Sequence, residues 1–285
     1  MHKSRIPRPF FGVIVLLLLS LLGPEARLVA DDRPDWRAHL ERGKEKARTR
    51  EWDAAAAAFA EAIRLAPREL APRIARGNAL GELGRFSEAR LEFARAAEVD
   101  PDNPEPLYRV ALARIAEGDD AGYRLACGQL LKRFGGSENP GVASPLAYTG
   151  VARPKALDSP DPLVRWAERA VPLFRGNERV LGAALYRAGR FDEAVRRLDE
   201  SARLTTPVAW DWLFLAMSNH RLGHAEEARR YIAKARGWIA AAESGRLEKS
   251  APNRTRTSWH SWNERAEVRA LLGEAEATLA AGRES

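Results

Sequence analysis

The sequence predicts an all-α protein, a solenoid of antiparallel helix hairpins. Three observations carry that prediction. Between Leu70 and Pro101, the residues Gly77, Leu80, Gly84, Phe86, Ala89, Phe93, Ala96 and Pro101 set small, apolar and chain-stopping positions at fixed offsets. The offsets recur along the chain in units of about 34 residues, the length of a repeated helix–turn–helix. Within the unit, Ile74, Leu80 and Leu83 make one helical stripe and Ala89, Phe93 and Ala96 a second. Ala, Arg, Leu and Glu dominate the composition, which favours helix. A chain of 285 residues is long for one core but ordinary for a stacked array, whose core grows by addition.

Taken in order, residues 1–30 read as a signal peptide. His2, Lys3, Arg5 and Arg8 form a positive lead, Phe10 to Leu22 an apolar run, and Gly23-Pro24 a break before a cleavage point after Ala30. The run is short for a bilayer span; the alternative is an uncleaved membrane anchor. Residues 31–135 hold three repeats. The first carries Gly43, Trp52, Ala55, Phe59, Ala62 and Pro67; the second is the unit above; the third is weaker, with Ala111, Gly118, Tyr123 and Leu130.

Residues 136–175 interrupt the pattern with Gly136, Pro140, Gly141, Pro145, Gly150, Pro154, Pro160 and Pro162. Such proline density excludes one continuous helix. The segment reads as a degenerate hairpin, with a short helix within 142–149 and another from about Asp161 to Phe174; the alternative is a hinge. Two further repeats fill 176–242, marked by Gly182, Leu185, Gly189, Phe191, Ala194 and Leu198, then Trp212, Leu215, Gly223, Ala228 and Ile232. Residues 243–261 are polar and read as an exposed loop. In 262–285, Trp262, Ala266, Val268, Leu271, Leu272, Ala275 and Leu279 give an amphipathic helix, read as the capping element of the array.

These offsets resemble the tetratricopeptide repeat (TPR) family over most of 36–238. The second half is also similar to the C-terminal repeat arrays of large bacterial proteins that carry kinase or WD40 propeller domains. No kinase motif stands before the array here, so kinase activity is not carried over.

The chemistry visible in the sequence is sparse. The net charge is +7, and removing Lys3, Arg5, Arg8 and Arg27 with Glu25 leaves 42 basic against 38 acidic residues, or +4. That mild excess, without a basic cluster interleaved with aromatics, does not support nucleic-acid binding. Cys127 is the only cysteine, so no intrachain disulfide can form, and its apolar offset marks it as a small core residue. His220 and His224 have metal-binding spacing, but Gly223 ends the helix between them. Asp192, Glu193, Glu226 and Glu227 stand in first turns of second helices, where they favour the helix dipole. No catalytic residue, metal ligand or cofactor motif is identified, and the reading is of a non-enzymatic protein.

The family resemblance implies that first helices of successive hairpins line a concave groove and that ligands bind there. The inward positions carry Arg37, Lys44, Arg48, Asn78, Tyr108 and Arg179, then Tyr186, Arg187, Trp210, Met217, His220 and Arg221. Leu40 stands where the family's carboxylate-gripping lysine would be, so that clamp is not expected. An Arg- and aromatic-rich inner face suits a protein or peptide partner of acidic character. Trp212 is expected in the hairpin core and Trp210 on the groove side. The expectation is an exported scaffold for protein–protein interaction, periplasmic or secreted. Its alternatives are a self-associating envelope protein and an accessory domain of an enzyme, with membrane contact only through an uncleaved N-terminal segment.

Overall fold

The computed structural model describes residues 35–173, 176–244 and 261–281. The signal-peptide reading of 1–30, most of the loop read at 243–261, Phe174, Arg175 and residues 282–285 lie outside the described residues. Among the described residues every regular element is helical. The hairpins are α1 (Trp36–Arg48) with α2 (Trp52–Leu65), α3 (Leu70–Glu82) with α4 (Phe86–Val99), and α5 (Pro104–Glu117) with α6 (Asp120–Phe134). They continue as α7 (Pro140–Val151) with α8 (Asp161–Ala170), α9 (Asn177–Arg187) with α10 (Phe191–Leu204), and α11 (Ala209–Arg221) with α12 (Ala225–Glu243). A single helix, α13 (Trp262–Ala281), follows.

Local chemistry sets the boundaries. Asp35, Asn103, Asp119 and Asn139 each accept a backbone N–H from the first turn of the helix that follows, which satisfies donors the helix itself leaves open. Gly84 closes α3 in the left-handed region at φ 75°, and Gly223 closes α11 at φ 79°; glycine reaches these angles without steric cost.

The hairpins are held by a small residue facing a large one. A Cβ at Gly77 would collide with the Phe93 ring, and one at Gly43 with the Phe59 ring; at Gly182 it would lie 2.6 Å from Leu198 Cγ. The irregular segment uses the same device, since a Cβ at Gly150 would collide with Leu163. α8 stops at Ala170, short of the sequence expectation, and a 3-10 turn (Val171–Leu173) follows it. Pro172 lies in that turn and has no N–H with which to continue the helix. α7 runs further than expected, from Pro140, whose place in the first turn needs no N–H donor.

Ala89, Ala194 and Ala228 lie at the crossings and are buried. Replacing Ala89 by leucine is expected to overpack α3 against α4 and lower stability by roughly 1–3 kcal/mol. A thermal melt checks it; an unchanged melting point would mean that the register is wrong. Cys127 is buried in the α5/α6 hairpin beside Tyr123, and burial pushes its thiol up to about 12. The interior forms two adjoining apolar clusters, one spanning α1–α6 and the other α6–α12. α13 belongs to both, contributing Trp262 to the first and Val268, Leu271 and Ala275 to the second.

Candidate functional site: the groove and the helix within it

The first helices contact one another in sequence, α1 with α3, α5 with α7, α7 with α9 and α9 with α11, and so form the inner face of the array. α13 does more than cap the end: it packs on α11, α5 and α3, and so runs back along that face. Its apolar stripe anchors it. Trp262 packs against Gly81, where a Cβ would lie 2.6 Å from the indole, and its ring lies 5.9 Å from Phe86 and 6.1 Å from Phe93. Glu82 holds the helix start, accepting the Trp262 N–H at 2.8 Å and an Arg265 N–H at 2.7 Å.

Further along, Arg153 donates to the Ala270 carbonyl, and Arg187 donates to both Glu274 and the Val151 carbonyl. Arg236 and Glu243 of α12 pair with Glu276 and Arg269. These outer pairs are exposed and contribute little. Arg187–Glu274 is buried, and its partners are matched on both sides.

Between α13 and the first helices lies a cavity of about 880 Å³. Asn78, Tyr108, Arg179 and Trp210, all expected inward, meet in its lining. Tyr186, Arg187 and Arg221 border a second hollow of about 500 Å³ next to Glu274. Met217 is fully buried and belongs to the core. His220 is half-buried and borders neither hollow. Arg37, Lys44 and Arg48 are exposed on α1 outside both: Arg37 lies over the Trp36 ring, Lys44 pairs with Glu41 and Arg48 with Glu45. His224 turns its Nδ1 to Asn219 Oδ1 at 3.3 Å, across the turn from His220.

Two expectations need correction. Trp210 does line the cavity, but only 8% of it is exposed, its ring 4.6 Å from that of Phe214. Trp212, expected as core, is the less buried of the two. The reason is that residues of α13, among them Glu267 and Val268, close the same cavity and so shield the inner side of α11. Trp210→Ala is therefore expected to cost about 3 kcal/mol or more of stability and Trp212→Ala less, so that the first variant melts lower. Equal melts of the two variants would refute that order.

The inner guanidiniums are also already engaged. Arg179 lies 3.2 Å from Asp211, and Arg109 holds Glu105 at 2.6 Å and Asn78 at 2.8 Å. Sequence reasoning missed Trp52, Arg109, Tyr148, Trp262, Glu264 and Glu267, which also line the cavity. The buried stripe of α13 was the available signal for the last three. Burial, reinforced by the charge of Glu264, pushes the Glu267 carboxyl up to about 8. Burial likewise raises the Tyr108 phenol well above its ordinary value.

A tetratricopeptide-repeat family model matches residues 73–103. Comparison with curated protein sequences finds no match. Among solved structures, a tetratricopeptide repeat protein from Parabacteroides merdae superposes with a TM-score of 0.54 at 13% identity, over 93% of this chain and 90% of its own. PilW, a widely conserved type IV pilus biogenesis factor, gives 0.53 at 15% identity, over 75% of this chain and 98% of its own. The Cut9–Hcn1 hetero-tetramer of APC/C gives 0.54 at 14% identity, over 92% of this chain and 45% of the matched chain. At these identities the likeness concerns the fold. Such stacks present extended concave surfaces for protein–protein contact. With the matched unit at 73–103 and hairpins of the same build stacked on both sides of it, the chain carries the tetratricopeptide repeat and folds as the solenoid such repeats build.

Proposed function

We propose that this chain is an exported, non-enzymatic scaffold that binds a partner protein through its concave groove. The observation that carries the reading is the cavity between the first helices and α13, where Asn78, Tyr108, Arg179 and Trp210 come together. A preformed hollow with aromatic walls and a few polar groups is the usual form of a binding site. Export rests on the sequence of residues 1–30, with its basic lead, apolar run and Ala30 boundary. No helix among the described residues is long and apolar enough to cross a membrane. A membrane-anchored form would hold the same array by an uncleaved N-terminal segment.

The acidic character first expected of the partner loses its ground, because Arg179 and Arg187 are paired within the chain. Self-association is the second reading. It is favoured by Leu91 on α4 and Leu125 and Leu131 on α6, exposed leucines on the outer helices.

Co-purification from the exported fraction, with light scattering on the bait alone, tests both. The groove reading expects a monomeric bait that captures a partner, and expects the capture to weaken with changes in the cavity wall. A bait that forms oligomers through its outer leucines and captures nothing would favour the second reading. Recovery of soluble cytoplasmic protein with Met1 intact would overturn export.

A further inference from the structure

We propose that the outer face of α6, with the adjoining part of α4, rests on an anionic membrane surface. The inference is independent of the groove reading and concerns the outer helices rather than the inner face. α6 buries Tyr123, Ala126, Cys127, Leu130 and Phe134. Its other face exposes Arg124, Leu125, Leu131, Lys132 and Arg133. Leu125 is 64% exposed, the most of any large apolar residue described, and Leu91 of α4 is 47% exposed. Large apolar side chains left in water together mark a surface that is covered in use.

The charge of this face has one sign. Asp120 opens α6 and pairs with Arg153, and the helix carries no other carboxylate. Arg124 and Lys132 have no ion pair among the described residues, and Arg133 lies over the Phe134 ring. At the starts of α4 and α10, by contrast, Arg85 holds Glu88 and Arg190 holds Glu193, each at 2.6 Å. Arg124 shares a helical stripe with Leu131, two turns on, and Leu125 shares the next with Lys132. Each leucine therefore stands in line with a cation. A helix of this build lies at a bilayer interface, its apolar side chains in the boundary between headgroups and acyl chains. Its cations there meet lipid phosphates.

A slot of about 540 Å³ between α4 and α6 extends the apolar surface inward. Ala97, Leu107 and Val110 line it, and Lys132 and Arg133 stand in its wall against one carboxylate, Glu98. A second copy of the chain is the poorer occupant. Two chains meeting symmetrically through this face would set the Arg124, Lys132 and Arg133 of each against those of the other. Like charges brought together oppose association. An anionic bilayer offers acyl chains to the leucines and phosphates to the cations, so both halves of the face are matched. The inner face stays free for the partner protein.

The test is hydrogen exchange on the full chain with vesicles of phosphatidylglycerol and phosphatidylcholine in equal parts, and with vesicles of phosphatidylcholine alone. The inference expects new protection of residues 124–133 with the anionic vesicles only, weakening as salt rises. Residues 1–30, where still attached, add affinity for either vesicle without protecting α6, so the footprint is read locally. Arg124→Gln with Lys132→Gln and Arg133→Gln is expected to need at least roughly tenfold more anionic lipid for half of the protection. Leu125→Ser with Leu131→Ser is expected to need a similar excess. All five positions are exposed, and a thermal melt shows that each variant is folded.

No protection of α6, or equal protection by the two vesicles, would overturn the inference, as would an unchanged lipid requirement in either folded variant. Protection of α4 and α6 that grows with protein concentration in the absence of vesicles would show a second copy on this face and overturn it too. None of these results touches the groove reading, whose own test follows α3, α5, α7 and α13 with the co-purified partner.

Discussion

Trp262→Ala is expected to release α13 from the groove. The indole is 3% exposed and fills the space that Gly81 leaves open, beside the rings of Phe86 and Phe93. Truncating a buried tryptophan costs about 3–5 kcal/mol. Here the loss falls on one helix rather than on the array. The hairpin α3/α4 keeps its own Gly77–Phe93 packing, and Glu82 keeps its place on α3. Hydrogen exchange should accordingly speed up across residues 262–281 and at the inner faces of α3 and α5, while α4 and α6 keep their protection. A variant that melts lower with uniform loss of protection along the whole chain would show that α13 folds as one unit with the hairpins. A variant indistinguishable from the natural chain would mean that the helix is not seated as described.

Arg187→Ala is the second large effect. The guanidinium reaches α7 through the Val151 carbonyl and α13 through Glu274, and lies over the rings of Tyr186 and Phe214. Its side chain is 6% exposed and that of Glu274 13%. Removing one partner of a buried pair strands the other charge, at a cost of about 3–5 kcal/mol. The double variant Arg187→Ala with Glu274→Ala removes the stranded charge and should recover part of that loss. Denaturant melts of both singles and the double give the coupling directly. Additive losses would mean that Arg187 and Glu274 do not form the pair.

The repeats were legible because their signals are local. Gly77 and Phe93 are 16 residues apart and meet across one turn, so a small residue and an aromatic at fixed offset announce the hairpin. Gly84 reads as a helix stop from its chemistry alone. The course of α13 was not legible. A stripe of Trp262, Val268, Leu271 and Ala275 says that one face is buried, not what covers it. Arg265 and Glu82 are 183 residues apart, and no period links them. The same gap explains the exchange of Trp210 and Trp212: helical spacing separates their faces, but the cover that α13 lays over the inner one is a long-range fact. It also explains why Arg187, read as a ligand for a partner, is a clamp for the chain's own helix. Half of the inner face could be named from the hairpin pattern; its closure depended on where the last helix lies.

The central claim is that the inner face, with α13 laid along it, is the surface that meets the partner. Hydrogen exchange on the chain with and without the co-purified partner tests it most directly. The account predicts new protection centred on α3, α5, α7 and α13, around Asn78, Tyr108, Tyr148 and Glu267, with α4, α6 and α10 unchanged. Protection confined to the outer helices α4, α6 and α10, with the cavity wall exchanging as before, would contradict it.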